Sequence, residues 1–98
     1  MTVNFGLLAL LEAKPDKGDD LAAFLVAGRE LAVQEEGTVT WYAFKLGDTT
    51  YGIFDTFETE DGRTAHITGP IAEALTKIAP ELLAADPSIQ PVDVIAVK

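Results

Sequence analysis

Thr38-Val39-Thr40-Trp41-Tyr42-Ala43-Phe44-Lys45-Leu46, followed by Tyr51-Gly52-Ile53-Phe54-Asp55-Thr56-Phe57, carries the only Trp of the chain, both Tyr and three of the five Phe. β-Branched and aromatic residues in such density suit a pleated, packed surface. Gly47-Asp48-Thr49 between the two runs is hairpin-sized and has turn chemistry. The stretch is therefore predicted as an antiparallel hairpin, with strands over Thr38–Leu46 and Thr50–Glu58. Odd positions put Val39, Trp41, Tyr51, Ile53 and Phe57 on one side. Even positions put Tyr42, Phe44, Leu46 and Phe54 on the other. A sheet with one wet face alternates apolar and polar residues, and this one does not, so both faces are expected to be covered.

Working outward from the hairpin, Val3–Ala13 reads as another strand with two apolar faces, broken by Lys14-Pro15-Asp16-Lys17-Gly18. A helix is predicted over Asp19–Glu35. Its start is favoured by Asp16, Asp19 and Asp20, and its stripe is Leu21, Phe24, Leu25, Gly28, Leu31 and Ala32. Gly28 on that stripe suggests close approach to the sheet, and Gly37 a left-handed helix end. Glu60–Ile67 reads as a short helical turn. A second helix starts at Gly69-Pro70, with Pro at its first position and Ile71, Leu75, Ile78 and Leu82 as its stripe. Pro80 inside this pattern is expected to kink or split it. Ser88–Lys98 is the last strand, which Pro91 assigns to an edge or a strand start.

The order β-α-β-β-α-β specifies a ferredoxin-like α+β fold, a four-stranded antiparallel sheet with both helices on one face. Its 98 residues form one domain, 1–98, without linker or repeat. The helices cover one sheet face. The other remains apolar, and a twofold homodimer pairing two sheets would cover it. The hydrophobic fraction of 48% and mean hydropathy of +0.19 agree with a second buried face. No apolar run approaches the roughly 18 residues that a membrane span needs. The chain has no Cys, which excludes disulfides, thiolate metal sites and cysteine nucleophiles. A net charge of −9 without a Lys/Arg cluster disfavours nucleic acid and anionic membranes as partners. The first residues lack a signal-peptide pattern, so a cytoplasmic location is the expectation.

Three segments carry a family resemblance: Glu36-Gly37-Thr38-Val39-Thr40-Trp41-Tyr42, Ile53-Phe54-Asp55-Thr56-Phe57-Glu58, and Ala65-His66-Ile67-Thr68-Gly69-Pro70. In order and spacing the chain resembles the antibiotic biosynthesis monooxygenase family of the dimeric α+β barrel superfamily. Trp41 stands where that family usually has Tyr, and Phe57 where it often has Trp. The resemblance implies oxidation of a polycyclic anthrone or quinol by O2 with no metal or flavin cofactor. Other members of the superfamily degrade haem.

His66 is the only side chain that titrates near neutral pH when unperturbed. It could take a proton from a phenolic substrate, leaving an electron-rich anion for O2. It could equally order the turn before Gly69-Pro70. Trp41, Tyr42, Tyr51 and Phe57 are candidate walls for a flat aromatic ligand, or else core and interface packing. Asp55, if buried, must be paired or protonated. It could orient His66 or a substrate hydroxyl, although pairing with Arg29, Arg63 or Lys45 is the plainer expectation. Asn4 could donate to a bound oxygen and Arg63 could neutralise an anionic ligand, with an edge hydrogen bond and a solvated turn as their plain alternatives. One His and no Cys argue against a protein-only metal site. A haem needs only one axial His, which keeps that group open. A non-catalytic binding module for a small hydrophobic ligand is the main alternative to an enzyme.

Overall fold

The structure, a computed structural model, describes residues 3–98. Its elements are β1 (Phe5–Glu12), α1 (Gly18–Ala32), β2 (Thr38–Lys45), β3 (Thr50–Phe57), α2 (Glu60–Ile67), α3 (Pro70–Leu82) and β4 (Ser88–Asp93). The strands form one antiparallel sheet in the order β2-β3-β1-β4. This is the expected ferredoxin-like α+β arrangement. β4 is an edge strand, which accommodates Pro91 and its missing N–H.

The register decides the faces. Asp55 of β3 pairs with Leu7 of β1 and with Trp41 of β2. Ile53 pairs with Ala9, and Tyr51 with Leu11. These residues share the helix-facing side. Leu11, Leu21, Leu25, Tyr51, Ile53, Leu75 and Leu83 meet there as the core. Each fully buried aliphatic side chain contributes about 1.5–3 kcal/mol relative to exposure.

β2 contains a bulge between Thr38 and Thr40: Thr38 pairs with Phe57, Thr40 with Thr56, and Val39 is the extra residue. The bulge breaks simple alternation, so Thr38 and Trp41 both point to the helix side although three positions apart. The opposite face carries Leu8, Leu10, Phe44, Phe54 and Val92, all only half-buried, and Tyr42, which is 60% exposed. Phe44 lies over Gly52 on this face, where a Cβ would come within 2.3 Å of the ring.

Several expectations are corrected. The stretch read as a helical turn is a complete helix, α2, started by Thr59, whose hydroxyl accepts from the Gly62 N–H at 3.0 Å. α1 stops at Ala32, and Gly37 is not left-handed. Gly37 instead makes a close backbone approach to Gly62. A Cβ on Gly37 would lie 3.0 Å from the Gly62 Cα. Gly28 is less constrained than expected, since a Cβ there would meet the Trp41 ring at an ordinary 3.7 Å. Pro80 does not split α3, which runs on to Leu82. Pro80 sits within the last turn, the Leu83 N–H still reaches the Ala79 carbonyl at 2.9 Å, and the Pro80 carbonyl accepts from Lys14 Nζ at 2.6 Å. β1 begins at Phe5 and β4 ends at Asp93, shorter than read. Among the described residues no helix is long and apolar enough to cross a membrane.

Candidate functional site

α2 carries His66 on its last turn, and the sheet carries Asp55 near the middle of β3. The helix brings the imidazole over the sheet between two carboxylates. His66 Nδ1 lies 2.6 Å from Glu35 Oε1, and Nε2 lies 2.7 Å from Asp55 Oδ2. The Glu35 contact is a hydrogen bond. The Asp55 contact has ion-pair distance but not hydrogen-bond alignment, and among the described residues neither Asp55 oxygen has a hydrogen-bond partner. Glu35 Oε1 also accepts from the Thr38 hydroxyl at 2.8 Å. The bulge at Val39 puts Thr38 on the side where it can do so. The Gly37–Gly62 approach brings the segment after α1 against α2, and so carries Glu35 to His66.

The cluster is largely dry: the Asp55 residue is 1% exposed, and the His66 and Glu35 side chains 10% and 16%. Burial pushes the imidazole toward its neutral form, and this is the largest single effect. The contacts and charges of Asp55 and Glu35 together outweigh it, holding the His66 pKa above its ordinary value. Phe57, fully buried, packs beside the imidazole with ring centroids 5.4 Å apart.

Asp55 and His66 form the polar end of an otherwise apolar cavity of about 60 Å³, walled by Leu7, Ala9, Ile53, Ile71 and Leu75 among others. Ile67, Ala72, Leu75 and Ile89 also line a larger, open groove of about 600 Å³ beside α3, which continues to Pro87 and Ile89 at the start of β4. On the other side of the imidazole, Glu35, Gly37, Thr38 and Gly62 line an open cleft of about 360 Å³.

The sequence candidates separate. His66 and Asp55 meet, and Asp55 contacts the imidazole rather than Arg29, Arg63 or Lys45, correcting the plainer expectation. Phe57 supports the imidazole from within the core. Trp41 shares their face and is the cross-strand neighbour of Asp55, with a buried indole N–H that has no partner among the described residues. Tyr51 is on that face but buried in the core, with Lys45 Nζ 5.9 Å from its ring centre. Tyr42 is on the opposite face, exposed and apart from His66. Asn4 uses its backbone carbonyl to accept from the Val94 N–H at 2.8 Å and does not line the cavity. Arg63 stacks over Phe5 at 5.2 Å and reaches the Gly6 and Val92 carbonyls, each at 3.4 Å. The cavity walls are thus aliphatic where aromatic rings were expected.

Glu35 was not singled out from sequence. It lies in Gln34-Glu35-Glu36, which reads as a solvated helix end. Its one available signal was position, immediately before the Gly37-Thr38 entry into an apolar strand. Among the described residues no group of three or more His, Asp and Glu is arranged to hold a metal ion. Both nitrogens of His66 are engaged by carboxylates, so neither is free as an axial haem ligand.

No family model matches the sequence, and no curated protein does. Among solved structures, a protein of unknown function from Nitrosomonas europaea is 44% identical, covering 98% of this chain and 93% of its own, with a TM-score of 0.96. A candidate antibiotic biosynthesis monooxygenase from Nitrosomonas europaea superimposes with a TM-score of 0.84 at 12% identity, covering 94% of this chain and 99% of its own. One from Chloroflexus aurantiacus gives 0.74 at 20% identity, covering 96% and 95%. The last two share the fold.

Proposed function

Because the chain belongs to one family with the Nitrosomonas europaea protein of unknown function, and has the fold of the antibiotic biosynthesis monooxygenases, we propose that it is a cytoplasmic, homodimeric monooxygenase. It oxidises a quinol or polycyclic phenol with O2, without a cofactor. The observation that carries this reading is the His66–Asp55–Glu35 cluster at the polar end of an apolar cavity. Such a cluster handles a proton in a site that excludes water.

The reaction needs no more than that. Removing a proton from a phenol or its keto tautomer gives an electron-rich anion. The anion bonds through carbon to O2, giving a peroxide. The peroxide takes up the proton, and loss of water breaks the O–O bond. In sum, a ring methylene and O2 become a ring carbonyl and one water. The His66–Asp55 pair is suited to hold the proton and return it to the peroxide. The test is O2 consumption with a panel of quinols and anthrones, comparing wild type with His66→Ala. Turnover is expected for at least one member and a loss of about 100-fold or more in the variant. Unchanged turnover would remove His66 from the reaction, and no turnover with any member would leave binding as the function.

The second reading, a non-catalytic module for a small hydrophobic ligand, is favoured by the groove beside α3, whose volume of about 600 Å³ lies in the range of ligand sites. It predicts saturable binding of an apolar ligand without product.

A further inference from the structure

The cluster contains an asymmetry. His66, the obvious proton acceptor, has no nitrogen to spare: Glu35 holds one at 2.6 Å and Asp55 approaches the other at 2.7 Å. Asp55 is buried to 1%, yet among the described residues neither of its oxygens has a hydrogen-bond partner, and only Oδ2 is near the imidazole. A buried carboxylate oxygen without a donor carries a desolvation cost that a ligand donor would remove. Asp55 lines the apolar cavity, and the cavity shares Ile67, Ala72, Leu75 and Ile89 with the groove beside α3. Among the described residues the groove lining contains Asp86 and no basic residue. With two carboxylates against one imidazole in the cluster, a carboxylated ligand would meet like charge.

We propose that Asp55, rather than His66, accepts the substrate proton, and that the groove between α3 and β4 brings a neutral, apolar, hydroxyl-bearing molecule to it. His66 and Glu35 are then positioning residues: Glu35 holds Nδ1, so that the Nε2 side stays on Asp55. The cavity of about 60 Å³ is far smaller than the ~150 Å³ that takes up a benzene ring. It therefore admits the hydroxyl end, while the rings stay in the groove. The carboxylate oxygens are covered in the resting site, so contact requires the side chains at the neck to give slightly. The proton moves from the substrate oxygen to Asp55 Oδ1 and returns to the peroxide; the O–O bond then breaks as the remaining ring C–H proton leaves with the hydroxide as water. The acceptor role rests on the oxidation reading above, but the binding mode does not.

The experiment uses 2-naphthol as probe, with naphthalene and 2-naphthoate as controls, followed by amide chemical shifts. 2-Naphthol is expected to move Ala72, Thr76, Ala79 and Ile89, and to bind about tenfold more tightly than either control. Ala72→Leu, which narrows the neck, and Asp55→Val should each weaken it about tenfold, while Tyr42→Ser should not. Excited 2-naphthol is a strong acid, so the bound probe reports a proton acceptor by emitting as naphtholate. Wild type and His66→Gln, whose amide is long enough to reach Asp55, should show this emission, and Asp55→Asn should lose it. In O2 uptake, Asp55→Asn should fall about 100-fold or more, while His66→Gln keeps a measurable rate with a displaced pH profile. Naphtholate emission surviving in Asp55→Asn and lost in His66→Gln would overturn the acceptor assignment. Equal binding of 2-naphthoate, or shifts confined to Tyr42 and Phe54, would overturn the groove. If no panel member consumes O2 while the naphthol results hold, the oxidation reading fails and the site assignment stands.

Discussion

His66 Nε2 lies 2.7 Å from Asp55 Oδ2 across the gap between α2 and β3, and the pair is nearly sealed from solvent. Placing an imidazole and a carboxylate this close, with a second carboxylate on the far ring nitrogen, makes the protonation of His66 part of the folding equilibrium.

The sign follows from the raised His66 pKa. The unfolded chain titrates this group near 6.5, so its stabilising contribution is complete below that pH and is lost as pH rises through the higher folded-state value. Melting temperature should therefore fall over a window beginning near pH 6.5 and extending upward. His66→Gln should flatten that window. A wild-type melting temperature that is constant or rising there would contradict the assignment.

Phe57 is 0% exposed and lies against the imidazole. Phe57→Ala should cost about 3–5 kcal/mol, measured by urea unfolding. His66 should also lose its fixed orientation, seen as averaging of its ring proton shifts. A loss under about 1 kcal/mol would mean that the ring is not a packing element of the site.

Gly28→Ala should stabilise the protein by about 0.5–1 kcal/mol. The new methyl would sit 3.7 Å from the Trp41 ring, an ordinary contact, in the middle of α1. Destabilisation in a thermal melt would show that α1 and β2 lie closer together than this spacing allows.

The half-buried outer face of Leu8, Leu10, Phe44, Phe54 and Val92 leads us to expect a dimer at micromolar concentration. Phe54→Lys should shift sedimentation to the monomer while leaving the helix content unchanged. A wild-type protein that sediments as a monomer would remove the dimer from the proposal.

Much of the fold was legible because it rests on periodicity. Strand alternation divided Trp41 from Tyr42, and the register then put Trp41 with Asp55 and Tyr42 on the other side. Pairwise meetings between distant segments were not legible. Glu35 and His66 are 31 residues apart, and a bulge and a glycine contact bring them together. Neither device leaves a periodic trace. The pocket walls were missed because Ile67, Ala72, Leu75 and Ile89 read as ordinary core from sequence, and only the structure shows the space between them.

α2 buries none of its eight residues completely. It is held by the Gly37–Gly62 approach, by Arg63 over Phe5, and by the two carboxylates on His66. A segment with so little buried surface opens locally at low free energy, ahead of global unfolding. Its amide protons should exchange sooner than those of β3. The imidazole thus also latches its own helix, and we expect rising pH, as it weakens the hold of the two carboxylates on His66, to speed the exchange of the α2 amides further.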